Sequence, residues 1–205
     1  MLSILQKSPI IPVIILEDLK HALPLAQAII AGGISVLEIT LRTPVALDAI
    51  QAIATQFPEA IVGAGTVLQT QALKMAKAAG ARFAVSPGLS ADLVSAANEL
   101  NLPYLPGIVT ASEAMLAQTL NLTAAKFFPA EAFGGLKTLK SYSQVFPPLK
   151  FCPTGGVSLQ NMKEYLALPN VPTVGGTWLT PTDLIKQENW PAITQLVKDA
   201  VAALD

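Results

Sequence analysis

The sequence predicts an α/β fold, a single compact (β/α)8 barrel of the TIM type, and three observations predict it. Eight short runs rich in Val, Ile or aromatic residues recur at 11–15, 35–39, 60–63, 82–85, 103–106, 124–128, 150–153 and 171–174. Amphipathic stretches with apolar residues three and four apart separate them. Shared among 205 residues, eight strand–helix units take about 25 residues each, near the lower limit for a parallel barrel with short loops. Finally, no Gly-x-Gly-x-x-Gly follows the first run, since Ile15 passes straight into Leu16-Glu17-Asp18. That argues against a doubly wound open sheet.

Taken in order, the helical stretches after the second strand are 44–56, 69–79, 91–100, 111–120 and 159–168. Thr43-Pro44 places a hydroxyl cap before an N1 proline, and Thr110-Ala-Ser-Glu113 has the spacing of a capping box. Gly32-Gly33 and Gly80 stand just after helical runs, where a left-handed residue closes a helix. Pro24 interrupts the first helical pattern and predicts a kink or a late start. No linker rich in Ser, Gly or like charges divides the chain, so one domain spanning residues 1–205 is expected.

Composition narrows the function. Charged residues make up 13% of the chain, against roughly 25% in average soluble proteins, while hydrophobic residues make up 52%. Surface of that kind is expected to be hidden in a homo-oligomer. The uncharged stretch 21–37 contains Pro24, Gln27 and Gly32-Gly33, so it is not a membrane span. The first 16 residues are broken by Pro9 and Pro12 and show no cleavage pattern. A net charge of −1 offers no footprint for nucleic acid. The lone Cys152 fits a reducing cytoplasm. His21 is the only histidine and Cys152 has no cysteine neighbour, so both are read as structural and no metal is expected.

The chemistry gathers at strand ends, which in a parallel barrel face the functional mouth. In Thr-Ala-Ala-Lys-Phe-Phe-Pro-Ala-Glu, residues 123–131, Lys126 sits between two alanines and two phenylalanines. An ammonium deprived of water is costly, so such a position favours the neutral amine that imine formation requires. Such a lysine can instead snorkel to solvent or pair with a carboxylate. Glu38, between Leu37 and Ile39, is the candidate partner, either as an ion pair or as the group that moves protons beside a covalent centre. Arg42 can hold a carboxylate bidentately, with Thr66 adding a hydroxyl, as a 2-oxo acid would need. Arg82 is placed at a strand start on the opposite face. Gly155-Gly156 and Gly175-Gly176, the latter followed by Thr177, stand after the last two strands, where barrels commonly build a phosphate site from backbone N–H groups.

Six motifs in this order carry a resemblance: Glu38-Ile-Thr-Leu-Arg42-Thr43, Gly63-Ala-Gly-Thr-Val67, Ser86-Pro-Gly88, Lys126-Phe-Phe-Pro-Ala-Glu131, Pro153-Thr-Gly-Gly-Val157 and Gly175-Gly-Thr-Trp178. Together they closely resemble the bacterial 2-keto-3-deoxy-6-phosphogluconate (KDPG) aldolase family, which includes bifunctional 4-hydroxy-2-oxoglutarate (KHG) aldolases. The similarity runs from about Pro12 to the last helix. It implies a trimeric class I aldolase, free of cofactors, that cleaves the phosphorylated keto acid to pyruvate and glyceraldehyde 3-phosphate. Lys126 then corresponds to the Schiff-base lysine and Glu38 to the general acid/base. Arg42 and Thr66 match positions that hold the pyruvyl carboxylate, while Pro87, Phe128 and Thr154 match pocket-lining positions. Gly155, Gly156, Gly176 and Thr177 match the phosphate loop. The chain departs from the pattern at Thr177, where serine is expected, and at Phe133, where a polar residue is expected. It also lacks a basic residue just after the first strand, where Ile14-Ile-Leu-Glu17 stands. The same chemistry on 4-hydroxy-2-oxoglutarate or on the phosphogalactonate epimer is the alternative. A sugar-phosphate isomerase or sensor would share the glycine loops without needing the lysine.

Overall fold

Strands buried on both faces read as nearly continuous apolar runs, because helices cover a parallel sheet from outside. The computed structural model, which describes residues 1–204, bears this out in β1 (Ile10–Ile14), β2 (Val36–Thr40) and β3 (Ile61–Gly65), where every residue is buried. They are followed by β4 (Phe83–Val85), β5 (Tyr104–Leu105), β6 (Gly107–Ile108), β7 (Ala124–Phe127), β8 (Lys150–Pro153) and β9 (Val174–Gly176). All named pairings are parallel. One curled sheet has the order β5-β4-β3-β2-β1-β9, and a second has the order β6-β7-β8.

Between the strands run α2 (Ala22–Ala31), α3 (Ala46–Gln56), α4 (Thr70–Ala78), α5 (Ala91–Glu99), α6 (Ala111–Thr119), α7 (Gly135–Val145) and α8 (Met162–Leu166), with α9 (Thr182–Lys186) and α10 (Trp190–Ala202) closing the chain. The capping box forms as expected: the Thr110 hydroxyl accepts from the Glu113 N–H, and the Glu113 carboxylate accepts from the Thr110 N–H at 2.8 Å. Gly33 and Gly80 take positive φ, +104° and +93°, at helix ends. Pro24 falls in the first turn of α2, where its missing N–H leaves nothing unpaired, and a 3-10 turn at Leu19–His21 precedes it.

Four expectations are corrected. Thr43 does not cap α3, whose first residue is Ala46; its hydroxyl donates to the Leu16 carbonyl at 2.6 Å and ties the loop after β2 to the loop after β1. The fifth strand is split at Pro106, which has no N–H to give a ladder; its carbonyl instead accepts from the Lys126 N–H at 2.8 Å. The helix of residues 159–168 is shorter, Met162–Leu166. The last strand begins at Val174, not 171, and contains Gly175-Gly176 instead of ending before it. Those two glycines are explained by crowding: a Cβ on Gly175 would strike the Thr154 hydroxyl, and one on Gly176 would strike the Trp178 ring.

The short α1 (Leu2–Leu5) was not legible in the sequence. It places Leu5 and Ile4 against Ile11, Val36, Ile61, Phe83, Val85, Leu105, Ala124 and Cys152, the residues that the strands turn inward. This apolar plug leaves the polar groups of the interior to the opposite, C-terminal end of the strands. No helix among the described residues is long and apolar enough to cross a membrane.

Candidate active site

Register places the two candidate groups. Lys126 lies on β7, paired between Gly107 of β6 and Cys152 of β8, and Glu38 lies on β2, paired between Val13 and Gly63. Their side chains meet inside the curl: Lys126 Nζ donates to Glu38 Oε1 at 3.2 Å, with only 7% and 5% of the two side chains exposed. The Glu38 carboxylate has room because position 65 is glycine; a Cβ there would strike it. Lys126 Nζ also lies 5.2 Å from the centre of the Phe128 ring, whose negative face favours a cation.

A cavity of about 180 Å³ opens beside Lys126. Its walls include Arg42, Phe128, Thr154, Gly155, Gly156, Gly176 and Thr177 from the expected set, together with Val13 and Val157, which the sequence did not single out. Arg42 Nε donates to the Thr66 hydroxyl at 3.1 Å, so these two stand together as expected. Thr66 carries φ +58°, a left-handed conformation that costs a β-branched residue energy and is typical of constrained functional turns. Glu38 and Thr66 are absent from that wall, as is Pro87, which is exposed. Its carbonyl packs where a Cβ on Gly107 would be, so its contact is with the β5–β6 junction.

At the far end of the cavity Gly155 and Gly156 have φ of +94° and +84°, a turn that only glycine adopts without strain. Among the described residues no hydrogen bond takes up the Gly156 or Val157 N–H. Asn161 stabilises the turn: its amide donates to the Gly156 carbonyl at 3.1 Å, and its oxygen accepts from the Ser158 N–H at 2.8 Å. Exposed Arg82 precedes β4 at the other end of the sheet, and His21 is buried beside Glu188, away from the cavity. No group of three or more metal-binding side chains occurs among the described residues. Cys152 neighbours Lys126, but burial pushes its thiol up to about 12, which keeps it neutral and poorly nucleophilic.

A buried lysine bonded to a buried carboxylate beside a cavity, in a parallel α/β fold, supplies the groups that an imine-forming enzyme needs. The comparisons make the assignment specific. The chain belongs to the KDPG and KHG aldolase family, whose sequence model matches residues 1–196. It is 51% identical over 200 residues to the 2-dehydro-3-deoxy-phosphogluconate aldolase of Pseudoalteromonas atlantica, covering 98% of this chain and 93% of that one. It is also 51% identical over 199 residues to the KHG/KDPG aldolase of Escherichia coli K12, covering 97% and 93%. Among solved structures it resembles the KDPG aldolase of Legionella pneumophila with pyruvate captured as a covalent carbinolamine. That likeness has a TM-score of 0.94 at 47% identity and covers 97% of this chain and 96% of that one.

Proposed function

We propose that this chain is a class I aldolase that cleaves 2-keto-3-deoxy-6-phosphogluconate to pyruvate and glyceraldehyde 3-phosphate through an imine on Lys126. The observation that carries the proposal is the 3.2 Å contact between buried Lys126 and Glu38 at the cavity. Passing one proton from Lys126 to Glu38 yields the neutral amine. The amine adds to the C2 carbonyl, and the carbinolamine loses water to give an iminium, with Glu38 donating the proton that the leaving oxygen needs. Glu38, now ionised, takes the C4 hydroxyl proton as C3–C4 breaks. The bonding pair flows into the iminium, aldehyde departs and an enamine remains. Protonation at C3 and hydrolysis release pyruvate and restore the amine.

Arg42 and Thr66, already bonded to each other, are suited to the substrate carboxylate. Phe128 and Thr154 wall the pyruvyl end, Pro87 shapes the neighbouring turn, and Gly155, Gly156, Gly176 and Thr177 receive the phosphoryl end through backbone donors and one hydroxyl. Similarity to the KHG/KDPG aldolase of Escherichia coli supports 4-hydroxy-2-oxoglutarate as a second substrate of this chain, cleaved by the same residues. The chain is read as one domain forming a closed eight-stranded barrel. Closure is supported by the Thr154–Gly175 bridge between β8 and β9, and by Pro106 being the only residue between β5 and β6. It is further read as a cytoplasmic homotrimer that works without metal or other cofactor.

Borohydride added with pyruvate tests the mechanism. It should inactivate the enzyme and leave a reduced pyruvyl group on the peptide that contains Lys126, while EDTA leaves activity unchanged. Label on another lysine, or no label, would refute the imine.

A further inference from the structure

The Gly155–Gly156 turn is built from the two freest backbone positions in the site, yet donors that bind an anion well must be held in place beforehand. The segment after β7 holds it from one side. The Ala130 N–H donates to the Thr154 carbonyl at 2.8 Å, and the Glu131 N–H donates to the Gly155 carbonyl at 3.1 Å. The Glu131 stem lies where any side chain at Gly156 would have to go. From behind, the Tyr165 hydroxyl on α8 donates to Glu131 Oε1. Tyr165 is fully buried, and burial, reinforced by its bond to Glu131, holds its hydroxyl protonated well above the usual tyrosine range. Room for the bond comes from Gly135, at φ +47°, where a Cβ would meet both the Tyr165 hydroxyl, at 2.5 Å, and Glu131 Oε1, at 3.0 Å. Neither Glu131 nor Tyr165 lines the cavity.

We infer that the Glu131–Tyr165 bond is a brace that fixes the Gly155–Gly156 turn, making both side chains positioning residues for the phosphoryl end of the substrate. The inference rests on the reading that this turn receives the phosphate. Glu131 transmits the constraint, because its carboxylate is anchored by Tyr165 while its stem and N–H press on the two glycines. Substituting Gly156 itself would not isolate the effect, since a Cβ there is both strained and blocked.

The test compares wild type, Tyr165→Phe and Glu131→Gln on phosphorylated 2-keto-3-deoxy-6-phosphogluconate and on unphosphorylated 4-hydroxy-2-oxoglutarate, with melting temperatures and inorganic phosphate as competitor. Tyr165→Phe should raise KM for the phosphorylated substrate roughly five- to tenfold, the loss of about one hydrogen bond, and weaken inhibition by phosphate in parallel. Its kcat on both substrates, and its KM for the unphosphorylated one, should stay within about twofold. Glu131→Gln retains an oxygen for the Tyr165 hydroxyl and should remain close to wild type. Equal losses on both substrates would make the pair merely structural and overturn the inference, as would unchanged kinetics in Tyr165→Phe. A wild-type enzyme that neither prefers the phosphorylated substrate nor is inhibited by phosphate would refute the phosphate reading itself, and the brace with it. That failure shows in wild type alone, so the two are separable.

Discussion

Glu38 is where an ion pair and a proton carrier predict opposite behaviour. Its carboxylate is buried and bonded to Lys126, and removing one member of a buried pair ordinarily costs several kcal/mol because the other charge is left unpaired. A glutamine oxygen at position 38 would still accept from Lys126 Nζ. Glu38→Gln, which keeps size and hydrogen bonding, should therefore fold and bind pyruvate nearly as wild type does. Turnover should drop roughly 10²–10⁴-fold, the usual range for a general acid/base. Exchange of pyruvate methyl protons with deuterated solvent, followed by NMR, should slow with it. A lowered melting temperature with wild-type exchange in the folded fraction would end the proposed acid/base role and leave only the ion pair.

At the scale of elements, α6 shows how a local device ties a helix to pH. Burial disfavours the charged Glu113, but the N–H groups of Val109 and Thr110 and the Thr110 hydroxyl outweigh it and hold the carboxyl below its ordinary 4.5. A group depressed in the folded state contributes stability that is present above its unfolded value and lost as pH falls through its folded value. Glu113→Gln should therefore melt below wild type at pH 7. The difference should shrink as pH falls under 4.5, where wild type itself becomes protonated. A difference independent of pH would mean that the carboxylate charge contributes nothing. The same carboxylate accepts from three donors at 2.8 to 2.9 Å, so the box extends one residue upstream of the helix cap.

For the whole molecule, composition and surface agree. With 13% charged residues, the chain leaves Leu68, Met115 and Val145 more than 60% exposed and Phe133 49% exposed. Side chains of that kind on a weakly charged surface favour association between copies. Light scattering at micromolar concentration should give the mass of three chains of 21.5 kDa each. A monomer would refute the trimer and require another account of that apolar surface.

The sequence by itself determined the strand-and-helix alternation, because buried parallel strands are continuously apolar and the intervening helices carry a three-to-four period. It also determined which residue types could carry the chemistry: a lysine among apolar neighbours, a carboxylate among others, and glycine pairs at strand ends. Local signals succeeded where the physics is local, as at the Thr110–Glu113 box and the left-handed Gly33 and Gly80. They failed where a distant segment decided. Thr43 donates its hydroxyl to the distant Leu16 carbonyl and accepts no N–H from α3, and Gly175-Gly176 is a strand whose glycines answer to Thr154 and Trp178. Tertiary structure alone joined Glu38 to Lys126, 88 positions apart, because parallel register depends on which strands become neighbours. It alone also joined Tyr165 to Glu131, since no spacing in the chain reports a hydroxyl on α8 that meets a carboxylate 34 positions earlier.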